Sequence, residues 1–267
     1  MVDKICDVRE RLKICKPLIH CITNPISIHQ CANAILSVGA KPIMAEHPRE
    51  VREITNASDA LMLNMGNITD ARMESMMLSL KSAGERGIPA LLDVVGIACS
   101  KFRREYASNL LKISVPSVIK GNYSEIAALH DGEYFSRGVD AEESLAAGDI
   151  ARAAKELAQK YQTVILATGQ TDIITDGKRV VCVKNGTHQL ACVTGTGCML
   201  GALCTAFMTL LSPMDGAISA CCYFGICGQL AQTEKGNGSF MVKLMDGIST
   251  LSREEITKHI NMEEMSK

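Results

Sequence analysis

An α/β fold built on a largely parallel sheet is predicted by three features of the 267-residue sequence. Short apolar runs alternate with segments of helical period over most of its length, the pattern of repeated βαβ units. The runs are three to eight residues of mostly β-branched and aliphatic type, as strands covered on both faces require. No internal repeat, low-complexity segment or linker interrupts the alternation, so one domain over residues 1–267 is the expected organisation.

Taken in order, the expected strands are Leu18 to Ile22, Pro42 to Met44, Ala60 to Met65, Ile88 to Val95, Ser117 to Ile119 and Thr163 to Ala167. Helical stretches between them include Ile28 to Val38, Arg72 to Arg86, Tyr123 to His130 and Ile150 to Lys160. The segment "DIITDGKRVVCVK" reads as a hairpin turning at Asp176 and Gly177. Three helices follow: Gly197 to Leu211, Asp215 to Thr233, and Ser239 to about Thr250.

Composition narrows the function. Lys+Arg 28 against Asp+Glu 29, with 4% aromatics and no Trp, gives neither a basic footprint nor a stacking platform for nucleic acid. The opening "MVDKICDVRERLKICKP" mixes both charge signs, which excludes the apolar stretch of a secretory signal, and the expected compartment is the cytosol. Sequons such as "NIT" and "NGS" then carry no meaning. Twelve cysteines without a CxxC pair lack zinc-type spacing and read mostly as small buried apolar residues. Gln189 to Met214 and Gly216 to Thr233 are uncharged and long enough for membrane spans. Their glycines, Ser212 and Pro213, and the lack of flanking basic clusters, favour buried core helices instead.

Ligands of such sheets bind beyond the carboxyl ends of the strands. There "VTGTGC" (Val193 to Cys198) leads into a helix, offering backbone N–H groups to an anion; a glycine-rich connection into a core helix is the plainer reading of the same residues. Cys198 lies in the first helical turn, where the helix dipole favours thiolate and suits the residue to act as base or nucleophile. Asp93, after a strand-like run, and Glu125, opening a helix, are carboxylates of the kind that hold Mg²⁺ with phosphate oxygens. Asn122-x-x-Glu125 is also a capping-box pattern, and Asp93 could be an N-cap.

Seven blocks in order complete the picture: "HCITNPISIHQCANAILSVGAKPIMA", "LNMGN", "LLDVVG", "VIKGNYSEI", "ATGQTDIITDG", "VTGTGCMLGA" and "GNGSFMVKLMD". With them the chain resembles the hydroxyethylthiazole kinases of the ribokinase-like superfamily nearly end to end. The resemblance implies a three-layer αβα sandwich without a separate lid domain. It also implies Mg²⁺- and ATP-dependent phosphorylation of the alcohol of 5-(2-hydroxyethyl)-4-methylthiazole, a step of thiamine salvage, by a homotrimer with thiazole sites between subunits. Met44 and Gly195 fall on its substrate positions, and Asn24 and Gly66 on blocks lining the thiazole pocket. Lys120 and Thr168 fall on ATP positions, Asp93 and Glu125 on the acidic positions around metal and phosphates, and Cys198 on the base. The backbone from Gly195 through Thr196 and Gly197 to Cys198 would then form the anion hole.

Two departures stand out: Asp93-Val94 where many members have Asp-Pro, and Lys120 where many have arginine, which removes a bidentate phosphate contact. The alternative within kinases is another vitamin-like alcohol, a hydroxymethylpyrimidine or pyridoxal. Outside kinases, Cys198 could serve a thiol acyl transferase or hydrolase, though no histidine sits in a partner motif, or the chain could bind nucleotide and thiazole as a sensor.

Overall fold

The computed structural model describes residues 1–132 and 146–265; the single-domain expectation over 1–267 also takes in 133–145 and 266–267, which lie outside the described residues. One nine-stranded sheet runs in the order β2-β1-β3-β4-β5-β6-β7-β8-β9. Its strands are β1 (Leu18–Ile22), β2 (Lys41–Ile43), β3 (Ala60–Asn64), β4 (Ala90–Asp93), β5 (Val118–Asn122), β6 (Val164–Thr168), β7 (Asp172–Thr175), β8 (Val180–Val183) and β9 (Met262–Glu264). From β2 to β6 the pairing is parallel, and β7, β8 and β9 extend it antiparallel. All nine described strands join this sheet, so none builds a separate lid.

Helices cover both faces, and the period-2 alternation of the strands sorts the side chains between them. Met62, Leu91, Val118 and Leu166 pack with α1 (Val2–Cys15), α2 (Ile28–Ser37), α9 (Thr196–Met208), α10 (Pro213–Ala231), α11 (Asn237–Thr250) and α12 (Arg253–His259). Leu61, Leu63, Leu92, Ile119 and Ile165 pack with α3 (Val51–Ala57), α4 (Asp70–Arg86), α5 (Lys101–Ile113), α6 (Tyr123–Asp131) and α7 (Ala147–Tyr161). The short α8 (His188–Ala191) leads into the glycine loop. This is the expected three-layer α/β sandwich.

The predicted strands and helices are all present, with ends moved by up to three residues. The hairpin turns through four residues: Gly177 takes a positive φ of 85°, and Asp176 Oδ1 accepts the Lys178 and Arg179 amides. The uncharged α9, and α10 beyond Asp215 in its first turn, are buried nearly all round, with Phe207 meeting Tyr223 edge to face. Among the described residues no helix is long and apolar enough to cross a membrane. Seven of the twelve free cysteines, including the adjacent Cys221 and Cys222, are buried, in keeping with their use as small apolar residues.

Candidate active site

The strand order reverses at β1, which runs on to β2 on one side and β3 on the other, so a crevice opens at the carboxyl ends there. Register then brings three polar residues side by side. Asn64 pairs with Asp93 and Asp93 with Lys120 across β3, β4 and β5. Each lies two residues beyond an apolar side chain of the α9 face, namely Met62, Leu91 and Val118, so all three point toward α9. The turn after β1 adds Asn24, and the first turn of α9 adds Cys198.

These five residues form one connected cluster. Lys120 Nζ donates to Asp93 Oδ2 at 2.9 Å, with the two residues 4% and 1% exposed. Asn64 Nδ2 donates to the same Oδ2 at 3.1 Å and to Cys198 Sγ at 3.3 Å. Asn24 Nδ2 donates to Asn64 Oδ1 at 3.0 Å and to Cys198 Sγ at 3.4 Å, and its own Oδ1 accepts the Ser27 amide. Asp93 is therefore no N-cap.

Burial pushes the Asp93 carboxyl up, while the Lys120 ammonium and the Asn64 amide pull the other way. Burial works against the Lys120 charge too, yet Asp93, Cys198 and Glu125 hold the ammonium above its usual value. The pair is thus an ion pair enclosed by protein, in which each charge depends on the other. Asp93 Oδ1 is buried with no hydrogen-bond partner. An orphaned carboxylate oxygen is chemically suited to an oxygen-seeking cation such as Mg²⁺, which needs only one or two carboxylates. No group of three or more His, Cys, Asp or Glu converges among the described residues.

Glu125 is held differently. Its Oε1 accepts the Gly96 amide at 2.7 Å and Oε2 the Asn122 amide at 2.8 Å, while Asn122 Oδ1 accepts the Glu125 amide. The capping box is formed, so any metal shares a carboxylate that already ties α6 to the loop after β4. Burial, then the charge of Asp93, pushes Glu125 up to about 7.

The glycine loop runs directly into α9. Gly195 caps α9 with a φ of 94°, and no side chain caps the helix, leaving first-turn amides open to a ligand. Thr196 Oγ1 bonds back to Leu190 and Val193 carbonyls, stiffening the loop. At Gly197 an added Cβ would lie 3.8 Å from Lys120 Nζ, which puts the cation beside these amides. Thr168 ends β6 and donates to the Gly121 carbonyl at 3.4 Å, on the far side of Lys120 from Cys198's asparagines. Met44 follows the edge strand β2 and packs against the same core as Cys198.

Gly66 serves the cluster sterically. A Cβ there would sit 2.8 Å from Asn64 Oδ1 and 3.0 Å from Asn24 Nδ2. Gly66→Ala should therefore cost about 1–3 kcal/mol in urea unfolding and lower turnover as both amides are pushed aside; full activity with an unchanged midpoint would show that the cluster is free to shift.

Both departures have structural consequences. Val94 supplies an amide that donates to the Lys120 carbonyl at 2.8 Å, a bond proline cannot make. Lys120 uses its single point charge on Asp93, as a side chain without arginine's fork must. Asn64 is the residue sequence reading passed over. An asparagine ending an apolar run looks like turn chemistry, and its significance depends on cross-strand register.

The hydroxyethylthiazole kinase family model matches residues 10–254. "Hydroxyethylthiazole kinase 2" of Clostridium botulinum is 44% identical over 264 residues, covering 96% of this chain and 98% of that protein. A hydroxyethylthiazole kinase of Methanosarcina acetivorans is 43% identical over 251 residues, covering 93% and 95%. The solved Pyrococcus horikoshii hydroxyethylthiazole kinase superposes with a TM-score of 0.88 at 33% identity, covering 98% and 99%. A Staphylococcus aureus pyridoxal kinase, at 14% identity and a TM-score of 0.63 over 93% of this chain and 98% of its own, shares the fold. The chain belongs to the hydroxyethylthiazole kinase family.

Proposed function

We propose that the protein transfers the γ-phosphoryl group of ATP to the hydroxyl of 5-(2-hydroxyethyl)-4-methylthiazole, a thiamine salvage step in the cytosol. The observation that carries this reading is the junction of Cys198 with the uncapped first turn of α9 and the Lys120–Asp93 pair: a proton acceptor, an anion site and a cation within one crevice. Family membership supplies the substrate.

Phosphoryl transfer proceeds through a loose transition state in which positioning and charge neutralisation do most of the catalysis. Amides from Gly195 through Thr196 and Gly197 to Cys198 receive the charge growing on the transferred group, and Lys120 and Thr168 face the nucleotide. Cys198 Sγ takes the proton of the attacking hydroxyl, held for it by Asn24 and Asn64. The thiazole ring lies against Met44, Asn24, Gly66 and Gly195. Asp93 through Oδ1, with the charge of Glu125 nearby, would hold Mg²⁺, which when bound neutralises phosphate oxygens.

We also read the chain as one domain and the active form as a homotrimer with thiazole sites between subunits.

A coupled ADP-release assay tests the substrate. The thiazole alcohol should give the highest kcat/KM, above a hydroxymethylpyrimidine and pyridoxal; preference for either of these would overturn the assignment.

A further inference from the structure

We infer that Asn64 is the positioning residue that aims the base: one side-chain amide ties Cys198 to the Asp93–Lys120 pair and fixes where its sulfur sits. The inference rests on the reading of Cys198 as proton acceptor.

An asparagine amide has two hydrogens and one carbonyl oxygen, and its two ends must be told apart by their partners. Here the partners decide. The Gly66 backbone N–H, which can only donate, lies 2.8 Å from Oδ1. Asn24 Nδ2 donates to the same oxygen at 3.0 Å, and Asn24 is itself fixed because its Oδ1 accepts the Ser27 amide. Nδ2 of Asn64 is left facing two acceptors, Asp93 Oδ2 at 3.1 Å and Cys198 Sγ at 3.3 Å, one for each hydrogen. Every hydrogen of this amide is committed, and the residue is fully buried at the end of β3. A side chain satisfied in this way has one orientation, and the sulfur it touches inherits that precision.

The arrangement also explains the choice of side chain. Glutamine is one methylene too long for the register set by β3 and β4, and serine cannot span two acceptors with a single hydrogen. Aspartate has the right shape and the wrong polarity. Its Oδ1 keeps the Gly66 and Asn24 donors, while its second oxygen turns a lone pair toward both Asp93 and Sγ. Asn64→Asp therefore keeps the shape of the side chain and removes the two donated bonds, but it also sets a second buried carboxylate 3.1 Å from Asp93.

The test is a double-mutant cycle on the full chain, with the thiazole alcohol and ATP at saturation. Asn64→Asp should lower kcat on the order of 10- to 100-fold when Cys198 is present. In a Cys198→Ala background the same substitution should cost clearly less, because the part of the loss that runs through Sγ is gone and only the part that runs through Asp93 is left. Asn64→Ala, which adds no charge, should repeat the pattern and carries the cycle if the aspartate variant does not fold. Equal losses in both backgrounds would make Asn64 a packing residue and overturn the inference while leaving the base assignment intact. Full turnover in Cys198→Ala alone would remove the base assignment, and the inference with it.

Discussion

Cys198→Ala should lose roughly 10²- to 10⁴-fold in kcat with the thiazole alcohol and ATP saturating, whereas Cys198→Asp should remain an active kinase. The expectation follows from what surrounds the sulfur. Asn24 and Asn64 both aim amide hydrogens at Sγ, and the first turn of α9 carries it beside the anion loop. A carboxylate at position 198 would accept the same two donors, so exchange of thiol for carboxyl preserves the hydrogen-bond pattern and the capacity to take a proton. Alanine keeps the helix and discards both. Losses confined to kcat would place Cys198 in the transition state; a rise in KM at constant kcat would make it a binding residue. An alanine variant with full turnover would return it to the company of the buried structural cysteines.

Lys120→Met should destabilise the fold by about 3–5 kcal/mol, because it strands the Asp93 carboxylate in a site closed to water. The pH dependence gives the mechanism away. A carboxyl pushed up by burial binds its proton more tightly folded than unfolded, so stability attached to it falls as pH rises above the ordinary aspartate range. The deficit of Lys120→Met should accordingly be smallest in acid and grow toward neutrality. Adding Asp93→Asn to Lys120→Met should recover most of the loss at neutral pH, since the buried charge is then gone. Urea titrations of the wild type, the single and the double variant across pH measure this; a deficit independent of pH, or one the second substitution fails to relieve, would mean that the pair is not the buried ionic unit described.

Much of this architecture is readable from local pattern. Apolar runs of three to eight residues mark β1 through β6, and the capping box at Asn122 and Glu125 is present as read. Other elements were missed for physical reasons. The amphipathic α1 hides among charges: Ile5, Val8 and Leu12 are buried, but the helix as a whole is polar. The edge strand β9, Met-Glu-Glu, has no apolar pattern and exists because β8 offers it a ladder. At the site, Asp93 was legible because a carboxylate ending an apolar run is conspicuous. The tie from Asp93 through Asn64 to Cys198 spans residues 29 and 134 positions apart, and only the register of parallel strands and the docking of α9 bring them together. Glu125 had two readings in the sequence, cap and metal neighbour. Its hydrogen bonds realise the first and leave it close enough to Asp93 for that charge to raise it.

Phosphoryl transfer to a thiazole alcohol, with Cys198 as proton acceptor, leaves the chain itself unmodified. The direct measurement is the product: the protein incubated with the thiazole alcohol, ATP and Mg²⁺, and the small molecules and the intact chain then weighed by mass spectrometry. Thiazole monophosphate in amounts equal to ADP, and an unmodified chain, are the expected products. ADP without phosphorylated thiazole, binding without turnover, or a covalent adduct on Cys198 would contradict this mechanism.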